Sequence, residues 1–268
     1  MAKSKKKSNI IFTIIIIACI AVAAFSVFMI VKSNLEYKHI DDVNNQVVDN
    51  IIKSNGDKND SDGKNEGSES FTFDFNAAKN INSDTLGLLY IPSLDSKLPI
   101  VSGRDNDYYL HHAFDGSSSI GGTVFEEAGI KDGMDASHIL LYGHYMKNGS
   151  MFGSHKEYKS ADFYRSGNND TFYIYTENSI KTYKIFSVHN TPPDSDVYTF
   201  NFSSVPYMLE YAKRWQSESI YDTGVDISNT TQIVTLSSCE ETDYNERFVV
   251  QGALVSETPV SGGTVTIQ

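Results

Sequence analysis

A thiol, an imidazole and a guanidinium occupy suggestive places in this chain. Cys239 closes the apolar run "QIVTLSSC", and eight residues later Arg247 opens the next one, "RFVVQGALV". His144 follows the apolar run "SHILLYG" and opens a polar loop. A cysteine thiolate is a strong nucleophile, but it needs a proton-transfer partner, most often histidine. Arginine cannot act as a base, yet its planar fork of donors can hold a carbonyl or an oxyanion. Together the three residue types suit acyl transfer, with thiol attack, protonation of a leaving amine and oxyanion stabilisation.

Each residue has a plainer role to weigh. Free cysteine is often an inert core residue, but the polar flanks in "TLSSCEE" favour exposure of Cys239. Seven histidines compete for the proton-transfer role. His39 precedes the globular part, His111 and His112 follow "DNDYYL", His155 lies in a polar segment and His189 lies near a Pro-Pro loop. His138 starts a strand. His144 stands out because it follows a strand, and Gly143 before it permits an unusual backbone turn. A lone strand arginine is usually a surface residue, but a hairpin would return Arg247 to the side of Cys239. Zinc needs three or four ligands, commonly in paired spacings. The pairs Cys-x2-Cys and His-x3-His do not occur, so no metal is expected. A calcium loop starting at Asp57 fails as well, with Asp62 where glycine belongs and Ser68 where glutamate belongs.

The elements that must position these residues are mostly short strands. Runs rich in Val, Ile, Tyr and Phe fall at 86–91, 98–101, 121–125, 137–143, 171–177, 180–188, 232–238 and 247–255. "TENSIK" (176–181) reads as a tight hairpin connection. Such a series predicts a mainly β domain, closed or sandwich-like. One helix is expected over 203–219, with Ser204 as N-cap and Pro206 in its first turn. Met208, Tyr211, Ala212 and Trp215 recur on one face. This helix is expected to pack against the strands and to wall a groove near Cys239.

The N-terminus speaks to location. Residues 1–9 hold four lysines, and 10–31 form an apolar run that satisfies the about 20 residues a bilayer crossing needs. It is longer than the apolar region of a cleaved signal peptide. The lysines should stay cytoplasmic, leaving the rest of the chain outside. Cys19 then lies in the membrane, and Cys239 has no external partner for a disulfide. Residues 32–70 read as a polar stalk, with a short helix over 35–52 and an acidic, Asn/Gly/Ser-rich tether from Ser54 to Ser70. The main domain spans 71–257 and a C-terminal tail 258–268. The formal net charge of −12 argues against a nucleic-acid partner.

"LLYGHYMKNGSMF" (140–152), "IVTLSSC" (233–239) and the following Arg247 resemble the class B sortases, membrane-anchored cysteine transpeptidases of Gram-positive bacteria. The stretches 91–114 and 121–128 are similar too, so the likeness runs from about Phe71 to Val255. It implies an eight-stranded sortase-type β-barrel with flanking helices, one of them from residues 74–82, behind a single transmembrane helix. It implies that Cys239 attacks the carbonyl of a Thr in a C-terminal sorting signal. His144 would protonate the leaving amine, and Arg247 would steady the oxyanion. Ser237, Glu240 and Asn106 would contact substrate. The expected partners are a surface-protein sorting peptide, a peptidoglycan precursor amine and the membrane. No cofactor is expected. Two rival readings are a wall-associated cysteine peptidase that hydrolyses, and a non-catalytic surface-binding β module with Cys239 in its core.

Overall fold

The computed structural model describes residues 2–54, 71–239, 245–260 and 264–266. Most of the acidic tether, at residues 55–70, and Glu240 lie outside these. The chain divides into two units, Met1–Asp42 and Val43–Gln268. The first holds most of helix α1 (Ala2–Ile51). Its Ile14, Ile17, Phe25 and Phe28 are all exposed. The helix is apolar all round and long enough to cross a bilayer.

The second unit begins earlier than Phe71. The last turns of α1 carry Val47 and Ile51 into a cluster with Phe71, Phe73, Phe75 and Tyr175. The chain then forms β1 (Ile52–Ser54), β2 (Phe71–Asp74), α2 (Phe75–Ile81), β3 (Thr85–Ile91), β4 (Ser96–Ser102), β5 (Val124–Glu126) and β6 (His138–Gly143). It continues through α3 (Ala161–Tyr164), β7 (Thr171–Tyr175), β8 (Ser179–Thr191), α4 (Val205–Ser217), β9 (Ile233–Cys239), β10 (Arg247–Pro259) and β11 (Thr264–Thr266). Residues 43–54 are thus helix and strand of the folded unit, where the sequence suggests stalk. Residues beyond 257 likewise finish β10 and supply β11, where it suggests a tail. The strands β1, β2 and β11 make a small sheet with β2 in the middle.

The other eight strands close into a barrel in the order β10-β8-β7-β3-β4-β5-β6-β9. Each overlaps one of the eight apolar runs of the sequence, although β5 keeps only the last two residues of the run at 121–125. Strand β4 runs parallel to β5, and β6 runs parallel to β9; the other neighbours are antiparallel. Side chains alternate between the barrel interior and its outer face. Leu89, Ile139, Leu141, Ile174, Leu236 and Val250 are sealed from solvent on the inner set. On the outer face, Met208, Ala212 and Trp215 of α4 pack with Phe186, Ile233 and Val249. Asp74 caps α2 by accepting from the Ala77 amide at 2.9 Å. Ser204 is the N-cap of α4 but makes no side-chain capping bond. Pro206 suits that first turn because it lacks an N–H that would go unsatisfied.

Candidate active site

Backbone register alone brings three of the singled-out residues to one rim. Parallel pairing sets Tyr142 opposite Ser237 and Gly143 opposite Ser238. One further step puts His144 level with Cys239. Antiparallel pairing sets Arg247 directly opposite Cys239. His144 therefore leaves β6, Cys239 ends β9 and Arg247 starts β10 at a single edge of the barrel. By alternation, Tyr142 and Ser237 share the outer face.

A groove of about 450 Å³ opens at this rim. Its lining includes Asn106, Leu110, Phe125, Tyr142, His144, Tyr198, Ser237 and Arg247. Pro193, Asp194 and Ser195 close one side. The segment before α4 thus walls the groove, while α4 itself covers another part of the outer face. The expectation that the helix would flank the site is corrected in that respect.

His144 is half-buried, and its Nε2 lies 2.8 Å from the Leu110 carbonyl. A carbonyl only accepts, so Nε2 carries the proton of the neutral ring and Nδ1 carries the lone pair. Burial pushes the ring below its ordinary pKa of 6.5, against the opposing pull of the Leu110 carbonyl. The imidazole is neutral at pH 7. Gly143 serves this placement by close approach, not by an unusual φ. A Cβ there would stand 2.8 Å from the ring of Phe152, which is fully buried. The loop is further pinned by the Phe152 amide donating to the His144 carbonyl at 3.0 Å.

The Arg247 guanidinium donates from Nη1 to the Glu246 carbonyl at 3.0 Å and remains partly accessible in the groove. Ser237 is buried, with its hydroxyl 3.0 Å from that of Tyr198. The polar run before Cys239 is therefore not an exposed one. Thr235 sits between His138 and Gln251, and the Ser238 hydroxyl lies 3.4 Å from the Phe248 carbonyl. Asn106 lines the groove, but its amide is engaged, donating to Glu127 at 2.8 Å and accepting from the Ala128 amide at 2.8 Å.

The remaining histidines with described surroundings stay out of the groove. His138 is sealed between the Thr199 carbonyl and the Thr235 hydroxyl, and burial brings its pKa down to about 4. Burial lowers His155 to about 3 and His189 to about 4 as well; they stack on Phe152 and Trp215. His111 is exposed beside Asp107, and His112 stacks on Tyr108.

Three contributors escaped the sequence reading. Tyr142 could have been found, because it lies two residues before His144 and so shares its strand face. Tyr198 carried no periodic signal. The Leu110 carbonyl had none at all, since every residue offers one.

Comparison with known proteins bears on this arrangement. A family model described as the sortase domain matches residues 89–255. Sortase B of Listeria monocytogenes is 32% identical over 181 residues, covering 66% of this chain and 72% of that protein. The structure of Clostridium perfringens sortase B is 30% identical with a TM-score of 0.61, covering 68% of this chain and 99% of the other. Bacillus anthracis sortase B in complex with AAEK1 is 27% identical with a TM-score of 0.67, covering 83% and 99%.

Proposed function

Because the chain belongs to the sortase family, and within it to the class B cysteine transpeptidases, we propose that it joins surface proteins to the cell wall from a membrane-held position. Cys239 is the nucleophile in this reading. Its thiol proton passes to Nδ1 of His144, and Sγ bonds to the carbonyl carbon of a Thr in a C-terminal sorting signal. The tetrahedral oxyanion that forms is met by the donors of Arg247. The C–N bond then breaks, and His144 gives its proton to the leaving amine. A thioester remains on Cys239. An amine of a peptidoglycan precursor attacks it, the thiolate departs and recovers a proton through His144, and the new amide is released.

The observation that supports this most is the double register at the rim, where Arg247 pairs with Cys239 and the parallel ladder ends at Gly143–Ser238, one residue short of His144 and Cys239. A neutral imidazole with Nε2–H occupied by Leu110 is set to take a thiol proton on its other nitrogen. Asn106 and Ser237, lining the groove, are assigned to peptide contacts, as is Glu240. Helix α1 supplies the membrane span, with the four lysines on the cytoplasmic side.

The test uses the full chain in detergent, a Thr-containing sorting peptide and a free amine. The wild type should form the transfer product in excess of the free acid. Hydrolysis alone would favour the peptidase reading, and full turnover by Cys239→Ala would remove the nucleophile assignment. A fragment starting at Phe71 is a poor substitute, since it lacks β1 and the buried Val47 and Ile51.

A further inference from the structure

The carboxylate of Glu127 stands just behind the groove wall, outside the set of residues that line it. It accepts three hydrogen bonds. Oε2 takes the Tyr142 hydroxyl at 3.0 Å, and Oε1 takes the Asn106 amide at 2.8 Å and the Gly129 N–H at 3.1 Å. The Ala128 amide returns a bond to Asn106 Oδ1 at 2.8 Å. One carboxylate thus ties strand β6, two residues before His144, to the loop that follows β4.

That loop matters because it carries the acceptor of His144. From Asn106 the chain turns through Asp107 into the tight helical turn Tyr108–Leu110. Asp105 holds the turn by accepting from the amides of Asp107 at 3.0 Å and Tyr108 at 2.8 Å. The Leu110 amide donates to the Asp107 carbonyl at 3.1 Å. At the end of this short, internally bonded path, the Leu110 carbonyl meets His144 Nε2. One residue past β5 a glutamate could simply be solvated; here its three acceptor contacts join the loop to β6 through side chains.

We propose that Glu127 is a positioning residue for the acyl transfer. It holds the Asn106–Leu110 turn against Tyr142, so that the Leu110 carbonyl fixes His144 in the tautomer with the lone pair on Nδ1. Glu127 touches neither substrate nor the reacting atoms. Charge-assisted bonds of this kind are the stronger class of protein hydrogen bond, and a neutral replacement weakens them. The Tyr142 hydroxyl bond also depends on the charge, since Glu127 helps burial hold the Tyr142 proton in place.

The proposal rests on the assignment of His144 as the proton-transfer group, and the experiment separates the two. Full-length protein in detergent is labelled with 15N-histidine, and the ring nitrogen shifts of His144 are read beside kcat and KM for the wild type, Glu127→Ala and Glu127→Gln, with His144→Ala as reference. In Glu127→Ala, kcat should fall about tenfold or more with KM for the peptide changed less than threefold, and the Nε2–H signature should give way to a tautomer mixture. Glu127→Gln keeps the shape and one acceptor oxygen, so it should recover part of both readouts; it also keeps the test decisive if the alanine variant does not fold. An unchanged tautomer, or kcat within twofold of wild type in a folded Glu127 variant, overturns the proposal. If His144→Ala itself retains turnover, the underlying assignment has failed instead.

Discussion

The two ends of strand β6 carry histidines in opposite circumstances. His138 begins the strand and His144 follows its last residue, and both lie on the outer face by alternation. At the His138 end, α4 and the segment before it seal the surface. Phe202 and Tyr211 approach the ring at 6.0 and 5.3 Å, and both ring nitrogens have partners. At the His144 end none of the described helices covers the ring, and the groove opens. Only Nε2 has a partner there among the described residues, and Nδ1 is left with its lone pair. On the same face, then, one histidine has both ring nitrogens engaged and the other, in the proposed proton-transfer role, has one.

Exchanging the loss between the two ends should give mirror-image phenotypes. His144→Ala should lower kcat about a thousandfold while the melting temperature stays within a few degrees, measured by peptide turnover and calorimetry. Arg247→Lys keeps the charge and loses the planar fork; transfer should fall about a hundredfold, and unchanged turnover would remove the oxyanion role. His138→Ala should do the reverse of His144→Ala. It leaves Thr235 and the Thr199 carbonyl without their partner and should cost about 2–4 kcal/mol of stability, with the folded fraction still turning over peptide.

Two pH dependences sharpen the contrast. His138 is held neutral with its pKa near 4, below the ordinary 6.5. The stability it contributes is present above the unfolded pKa and is lost as pH falls from 6.5 towards 4. His144, also lowered, should set an acid limb in kcat below the ordinary imidazole value. The smallest effect is expected inside the barrel. Glu126 pairs with Leu141 on the inward-facing set, is 1% exposed and has one carboxyl oxygen without a partner. Burial pushes its pKa up to about 8. Its contribution is complete below the unfolded value of 4.5 and is lost as pH rises through 8. Glu126→Gln should therefore stabilise the protein at pH 8 by about 1–3 kcal/mol and leave pH 4 nearly unchanged, as denaturant titration at the two pH values would reveal.

How far the sequence could be read followed the range of each cause. The eight barrel strands are bounded by local turn residues and built from β-branched and aromatic runs, so their positions were visible. The opposition of Cys239 and Arg247 was visible too, because a hairpin is a short-range object. The parallel pairing of β6 with β9 was not, since it joins segments almost a hundred residues apart, and it is this pairing that makes His144 level with Cys239. Gly143 was noticed for its backbone freedom, but its cause is the distant ring of Phe152. The polarity of "TLSS" suggested exposure, whereas its hydroxyls are buried against His138, Tyr198 and Phe248. The strands β1, β2 and β11 are only three or four residues long, too short for a period to register.

That small sheet has a mechanical consequence. Strands β1 and β11 both run antiparallel to β2 and grip its opposite edges, so they lie parallel to each other about 10 Å apart. The first and last strands of the catalytic unit are thus stapled through one shared strand. Tension drawn between helix α1 and the far end of the chain would load these short ladders in shear.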